Sequence, residues 1–267
     1  MMQSELVKTR QDKGVLWLTL NQPEKRNPLS SQMIATLSNV LHHAYEDAKT
    51  RVIVLTAEGP VFSAGHDLTE FNAAEGEAEA TRSARIADLL DNCAQMMMGI
   101  VNAPKPVIAC VQGTATAAGC QLVSACDMAI ADSEARFCTP GVNMGVFCTT
   151  PLVGIGRNLS RKHAMEMALT GDMFSADEAV QFGLINRHVG GNRLVDETRQ
   201  LAEKIAARSA QAIRDGKAAF YQQIEMPLAD AFTHANQVMR EAVLSGGDSD
   251  EGRRAFFEKR EPNWRED

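Results

Sequence analysis

Short apolar runs rich in β-branched residues recur along this sequence, and they constrain the fold more than any other feature. Val15–Leu20 (VLWLTL), residues 52–55 (VIVL), Val107–Val111 (VIACV) and residues 128–131 (MAIA) are each too short to be helices. Most are apolar at consecutive rather than alternate positions, the pattern of strands covered on both faces. Helical spacing fills the intervals. Met33, Ile34, Leu37, Val40, Leu41, Ala44 and Tyr45 predict an amphipathic helix capped by Ser30 or Ser31. A second helix is expected from about Arg85 to Val101, broken by Ala103-Pro104-Lys105-Pro106, and a short one over residues 119–125. Between them, residues 72–82 (NAAEGEAEATR) are small and acidic and predict a mobile loop.

Strands alternating with helices through Gly-containing turns predict a parallel α/β body. Beyond about residue 150 the balance changes. Residues 160–170, 175–182 and 195–208 read as helices, the second with Ser175 and Glu178 as a capping box and Gly183 as its stop. From Ala210 onward nearly everything has helical period, including Leu228–Leu244 and residues 250–259. The division predicted is therefore an α/β body over residues 1–205 and a helical region over 206–267, with no linker and no detectable internal repeat.

Several function classes are disfavoured. No apolar run approaches the ~20 residues of a membrane helix, and residues 1–5 (MMQSE) do not read as a secretory leader. A net charge of −7 argues against a protein that coats nucleic acid. The expectation is a cytoplasmic protein. Its six cysteines (Cys93, Cys110, Cys120, Cys126, Cys138, Cys148) form no C-x-x-C pair and read as packed thiols, and its six histidines have no metal-ligand spacing. No metal site is expected.

Two constellations carry chemistry. In Phe62-Ser63-Ala64-Gly65-His66-Asp67-Leu68, a turn follows a strand; Gly65 supplies unusual backbone and Asp67 caps a helix, or the turn presents a free N–H. In Gln112-Gly113-Thr114-Ala115-Thr116-Ala117-Ala118-Gly119-Cys120-Gln121, small residues lead from a strand into a helix N-terminus, where unpaired N–H groups and the helix dipole favour negative charge.

In this order the two resemble the crotonase family, also called the enoyl-CoA hydratase/isomerase family. Asn21-Gln22-Pro23-Glu24-Lys25-Arg26-Asn27-Pro28-Leu29 is similar to its N-terminal signature, and Pro104-Lys105-Pro106-Val107-Ile108-Ala109 and Cys126-Asp127-Met128-Ala129-Ile130-Ala131 to its middle. Ala176-x-Glu178-Ala179-x-x-x-Gly183-Leu184-Ile185 and Glu251-Gly252-x-x-Ala255-Phe256-Phe257-Glu258-Lys259-Arg260 match its later segments.

The resemblance implies a spiral of ββα turns, a helical region that supports trimers or hexamers, and a coenzyme A thioester substrate with no separate cofactor. It implies that the backbone N–H groups of His66 and Ala118 form an oxyanion hole, with Ala64, Gly65, Asp67, Leu68, Gly119 and Pro140 lining the substrate. Lys25, Arg26 and Lys259 would meet the phosphates of coenzyme A; for Arg260 a solvated helix face is an equal reading. The two glutamates that hydratases of the family use are replaced by Gln121 and Gly141. Gln121 cannot exchange protons near neutral pH, so hydration is expected to be severely impaired. Asn143 can orient a water or carboxylate but cannot act as a base, and a turn residue bonding its own backbone is the favoured reading. Cys138 and Cys148 have no neighbouring base, and Ser63 lacks a nucleophile elbow. Met96-Met97-Met98 reads as packing. Three readings follow: an acyl-CoA enzyme with altered chemistry, a decarboxylase of a malonyl-type CoA, or a non-catalytic acyl-CoA binder.

Overall fold

A computed structural model of the chain describes residues 6–265; residues 1–5, read above for a leader, lie outside it. The strands are β1 (Val7–Asp12), β2 (Val15–Leu20), β3 (Val52–Ala57), β4 (Val61–Ser63), β5 (Val107–Val111), β6 (Thr114–Thr116), β7 (Met128–Asp132), β8 (Arg136–Cys138), β9 (Phe174–Ser175) and β10 (Arg187–Val189). The helices are α1 (Ser31–Glu46), α2 (Glu79–Val101), α3 (Ala118–Ala125), α4 (Thr149–Asn158), α5 (Arg161–Thr170), α6 (Ala176–Phe182), α7 (Gly191–Ala206), α8 (Ala210–Gln223), α9 (Leu228–Leu244) and α10 (Asp248–Glu258).

Two sheets organise the body. The larger runs β1-β2-β3-β5-β7-β10 and is parallel except for the β1–β2 hairpin; the smaller runs β4-β6-β8-β9. Each of β3, β5 and β7 ends in a short corner, and the chain re-enters the smaller sheet as β4, β6 or β8. Three ββ corners in succession make a spiral, although the sequence carries no repeat. The corners share geometry rather than residues.

Burial on both sides of the larger sheet explains its uninterrupted apolar strands. Ile53 and Leu55 face the main core with Val107, Ala109 and Val111; Val52 and Val54 face a second core with Ile108 and Cys110. That second core is closed by Leu194 and Ala202 of α7. Alternate residues of one strand thus serve two layers.

The reading of the sequence needs four corrections. β1 (VKTRQD) was not foreseen, because only Val7 of its six residues is buried; it is held by pairing with β2 through a tight turn in which Lys13 and Gly14 both have positive φ. The smaller sheet was missed because strands of two or three residues carry no periodicity. Residues 79–82, read as loop, start α2, since Glu and Ala are good helix formers. α7 and α10 begin earlier than their periodicity suggested, at Gly191 and Asp248. Ser30 caps α1, and the Ser175–Glu178 box and Gly183 stop of α6 are present.

The first C-terminal helix is fastened to the body by a half-buried polar network. Lys217 Nζ on α8 donates to Asp127 Oδ2 at 2.8 Å and to the carbonyls of Ile100 and Lys105 at 3.1 Å each. Tyr221 Oη donates to Asp127 Oδ1 at 2.9 Å, and Val107 N–H donates to Oδ2 at 2.7 Å. The ammonium is 8% and the carboxylate 16% exposed, so removing one partner strands the other charge. Lys217→Met is expected to cost about 3–5 kcal/mol in urea denaturation; a midpoint equal to wild type would show that the network is dispensable.

Candidate active site

The N-terminal signature lies along the first sheet-to-sheet corner, fixed there by one buried residue. Asn27 is wholly buried in left-handed backbone (φ 48°), which asparagine tolerates better than most residues. Its Nδ2 donates to the carbonyls of Glu58 (2.9 Å) and Val61 (2.8 Å), and its Oδ1 accepts from Gln22 N–H (2.8 Å). Ala64 N–H then donates to Arg26 O, and Leu29 N–H to Gly65 O. Lys25 and Arg26 ride on this segment, both exposed. Asn27 was not singled out from the sequence; its signal was an Asn-Pro directly after the charged Glu24-Lys25-Arg26, which periodicity does not register.

Two glycines let this corner touch the start of α3. Gly65 has φ +85°, and a Cβ there would lie 3.0 Å from Ala117 Cβ and 3.2 Å from Ala118 N. A Cβ on Gly119 would come within 2.4 Å of Ser63 O. Neither position accepts a side chain without displacing backbone. Thr116 Oγ1 donates to Ala64 O at 2.9 Å and ties the two segments together.

Between them Ala117 is strained. Its φ of 50° and ψ of −118° lie where L-residues rarely go, at a cost of about 1–3 kcal/mol. Its N–H donates to Cys138 O at 2.9 Å, which anchors the kink to β8. Ala117 is the N-cap of α3 and offers no side-chain acceptor. Among the described residues, no protein acceptor engages the N–H of Ala118 or of His66. The corner therefore brings together the two sequence segments expected to bear free donors, beside the positive end of a buried helix.

The side chains around this junction differ in what they can do. The His66 Nε2 is buried without a partner, and the ring edge meets Phe71 with centroids 5.9 Å apart. Burial lowers its pKa, only partly opposed by Glu70, so the imidazole is neutral at neutral pH. Asp67 is a cap: its Oδ1 accepts from the N–H (3.0 Å) and Oγ1 (2.7 Å) of Thr69, ahead of exposed Leu68. Gln121, in the first turn of α3, is 7% exposed, and its Oε1 has no hydrogen-bond partner.

The loop expected to replace the second glutamate is closed on itself. Pro140 opens a short 3₁₀ turn over Pro140–Met144. Gly141 N–H donates to Cys148 Sγ at 3.3 Å, and Val146 N–H donates to Gly141 O at 3.1 Å. A Cβ at 141 would lie 2.8 Å from both Cys148 Sγ and Val146 O. Gly141 is therefore a close-packing residue, and a glutamate cannot simply be returned to it. Asn143 is exposed, and its amide donates to Gly171 O at 3.4 Å, tying the loop to the end of α5. It neither bonds its own turn nor is brought against the Gly65–Ala118 junction by any contact seen here. All six cysteines are free and buried, and burial pushes their thiols up, Cys93 and Cys138 to about 11. Lys259 stands exposed at the end of α10. Arg260 is engaged bidentately by Glu251 (2.6 and 3.0 Å) and by Glu258 (2.6 Å), which favours the helix-face reading.

Comparison with known proteins identifies the family. The enoyl-CoA hydratase/isomerase family model matches residues 10–267. Human enoyl-CoA hydratase domain-containing protein 3, mitochondrial, is 42% identical over 255 residues, covering 96% of this chain and 82% of its own. Escherichia coli 2,3-dehydroadipyl-CoA hydratase is 33% identical over 268 residues, covering 98% and 99%. A crystal structure of the human domain-containing protein 3 superposes with a TM-score of 0.92 at 42% identity, covering 97% of this chain and 100% of that one. An enoyl-CoA hydratase structure from Mycobacterium smegmatis gives 0.91 at 42% identity, covering 97% and 98%.

The fold and the matches define a mixed α/β protein with structural neighbours of the crotonase fold. The chain belongs to the enoyl-CoA hydratase/isomerase family, with the crotonase fold. The expected cytoplasmic location is overturned: the rat, mouse, zebrafish and human relatives are named mitochondrial. The leader reading of residues 1–5 bore only on export.

Because a Cβ at 141 meets backbone oxygen, Gly141→Ala is expected to destabilise by about 1–3 kcal/mol and Gly141→Glu by more, read from denaturant midpoints. A Gly141→Glu protein of wild-type stability would mean that the loop opens freely.

Proposed function

We propose that the chain is an enzyme acting on an acyl-CoA thioester, whose carbonyl oxygen accepts the backbone N–H groups of His66 and Ala118. The observation that carries this reading is the close approach of Gly65 to Ala118 N, which leaves both donors unpaired beside the start of α3. As an enolate forms, charge gathers on that oxygen. The donors are held by packed backbone and need not reorganise, so each contributes about 3–4 kcal/mol of barrier lowering. Ala64, Gly65, Asp67, Leu68, Gly119 and Pro140 line the approach of the acyl group. Lys25, Arg26 and Lys259 supply positive charge for the coenzyme's phosphates. The chemistry needs no resident cofactor; coenzyme A arrives as part of the substrate.

Hydration fits poorly. Gln121 can orient a group but not accept its proton, and Gly141 has no room for an acid. Decarboxylation of a malonyl-type thioester is favoured as the specific reaction by the closure of the Gly141 loop. The carboxylate leaves as carbon dioxide, its C–C bonding pair becomes the enolate, and a proton from solvent then restores the thioester. No carbon-bound proton has to be removed. A non-catalytic binder would use the same donors without turnover.

Mass spectrometry after incubation with crotonyl-CoA and methylmalonyl-CoA separates these readings. Loss of carbon dioxide from methylmalonyl-CoA with crotonyl-CoA intact is expected. Water addition to crotonyl-CoA would contradict the assigned loss of acid–base groups, and binding without turnover would support the binder. Since His66 acts through its backbone, His66→Ala should retain most activity. Replacing Ala118 by lactate removes that donor with every side chain kept and should cost roughly 10²–10³-fold in kcat. Equal losses in the two variants would contradict a backbone role.

The proposed assembly is a trimer or a dimer of trimers. Phe220, Leu228, Phe232, Leu244, Phe256 and Phe257 of α8–α10 are more than half exposed in the single chain, and burying them between subunits would remove that apolar surface from water. Sedimentation velocity is expected to give three or six times the chain mass; a monomer would refute it.

A further inference from the structure

The segment that follows His66 is held in an unusual way. It starts as a short 3₁₀ turn, Leu68–Phe71, continues as Asn72-Ala73-Ala74-Glu75-Gly76-Glu77, and ends at the start of α2. Apart from Phe71 it has little apolar surface to bury, and its composition predicts mobility. Two arginines one turn apart on α2 grip it instead. Arg82 donates through Nε and Nη2 to Phe71 O, at 3.1 and 2.7 Å. Arg85 donates through Nη1 to Glu70 O and through Nη2 to Asn72 O at 3.0 Å. Three consecutive backbone carbonyls are thus fixed by two guanidinium groups.

The grip is closed by Glu77. Its carboxylate takes Arg85 Nε at 3.0 Å and Nη2 at 2.9 Å, and accepts from Ala74 N–H at 3.0 Å. These bonds hold the Glu77 carboxyl down at about 2. Its pKa is below the ordinary carboxylate value, so the pair is complete above that value and lost only as pH falls toward about 2. At the other end of the segment the Glu70 carboxylate accepts from Ser31 N–H (2.9 Å) and Ser31 Oγ (3.1 Å) at the start of α1. The strap therefore runs from helix to helix, and its fixed carbonyls begin four residues after His66, with Phe71 against the His66 ring.

We propose that Arg82 and Arg85 are positioning residues for the His66 N–H, acting through this strap; the inference rests on the oxyanion reading above. The Arg85–Glu77 pair is open to water on the arginine side, at 38% exposure against 10% for the carboxylate, and surface ion pairs add little to global stability. A cluster of six arginine bonds to one exposed strap therefore acts chiefly on local geometry. The guanidinium fork suits three adjacent carbonyls and a carboxylate, and a lysine ammonium cannot span them.

The test is difference infrared spectroscopy of crotonyl-CoA carrying carbon-13 at the thioester carbonyl, bound to the full chain, with affinity measured by calorimetry. In wild type the carbonyl band should move to lower frequency on binding. If it does not move, the oxyanion reading itself fails, and this proposal with it. If it moves, Arg85→Ala should leave the melting temperature close to wild type yet lose much of the shift, with affinity falling by no more than about tenfold, as for one lost hydrogen bond. Arg85→Lys and Glu77→Gln should lose less, and they keep the test decisive if Arg85→Ala fails to fold. An undiminished shift in Arg85→Ala, or in both conservative variants where that protein does not fold, overturns the proposal.

Discussion

The close approach of two backbones, allowed by two missing side chains, is the constraint on which the rest depends. Gly65 turns left-handed against Ala117 and Ala118, and Gly119 sits against the carbonyl of Ser63. Everything nearby serves that contact. Ala117 holds a rarely adopted conformation so that the chain can turn from β6 into α3 without leaving the contact. Thr116, Asn27 and the Cys138 carbonyl hold the participating segments from three sides. A helix that starts there without a side-chain cap keeps its first N–H groups available for an incoming oxygen. Here the local cost and the chemical use coincide, as is common where strain gathers at functional positions.

The wider fold supplies rigidity to this point. The larger sheet is covered on both faces, so β3 and β5 cannot shift without disturbing two cores at once. Through β4 and β6 respectively, these strands lead to Gly65 and Ala118. Behind them, Asp127 collects Val107 N–H, Lys217 and Tyr221, binding the middle of the body to the first C-terminal helix. The precision of the proposed oxyanion corner is thus inherited from the parallel sheet.

The strands of the larger sheet were legible because burial on both faces leaves a run of consecutive apolar residues, as in VIVL and VIACV. Most helices were legible through period and caps, Ser30 and the Ser175–Glu178 box among them, but α4 was not read from the sequence. β1 and the smaller sheet were not, since a polar edge strand and strands of two or three residues have no pattern to read. At the candidate site, the segments around Gly65 and Gly119 stood out by small residues at strand ends. The roles of Asn27, Cys148, Arg82 and Arg85 did not. Each depends on a partner 7 to 34 residues away: Asn27 on Glu58 and Val61, Cys148 on Gly141, Arg85 on Glu70 and Glu77. Gly141 likewise looked like a lost catalytic group and proved to be a position with no space.

The account comes down to whether the Ala118 N–H meets a thioester oxygen. Replacing the Ala118 residue by lactate converts that one amide to an ester and deletes the hydrogen while leaving every side chain in place. Binding of crotonyl-CoA and of the corresponding thioether, which lacks the carbonyl oxygen, would then be compared by calorimetry. The account predicts weaker thioester binding, on the order of tenfold for one lost hydrogen bond, with thioether binding unchanged. Equal affinities for the thioester before and after the replacement would contradict it.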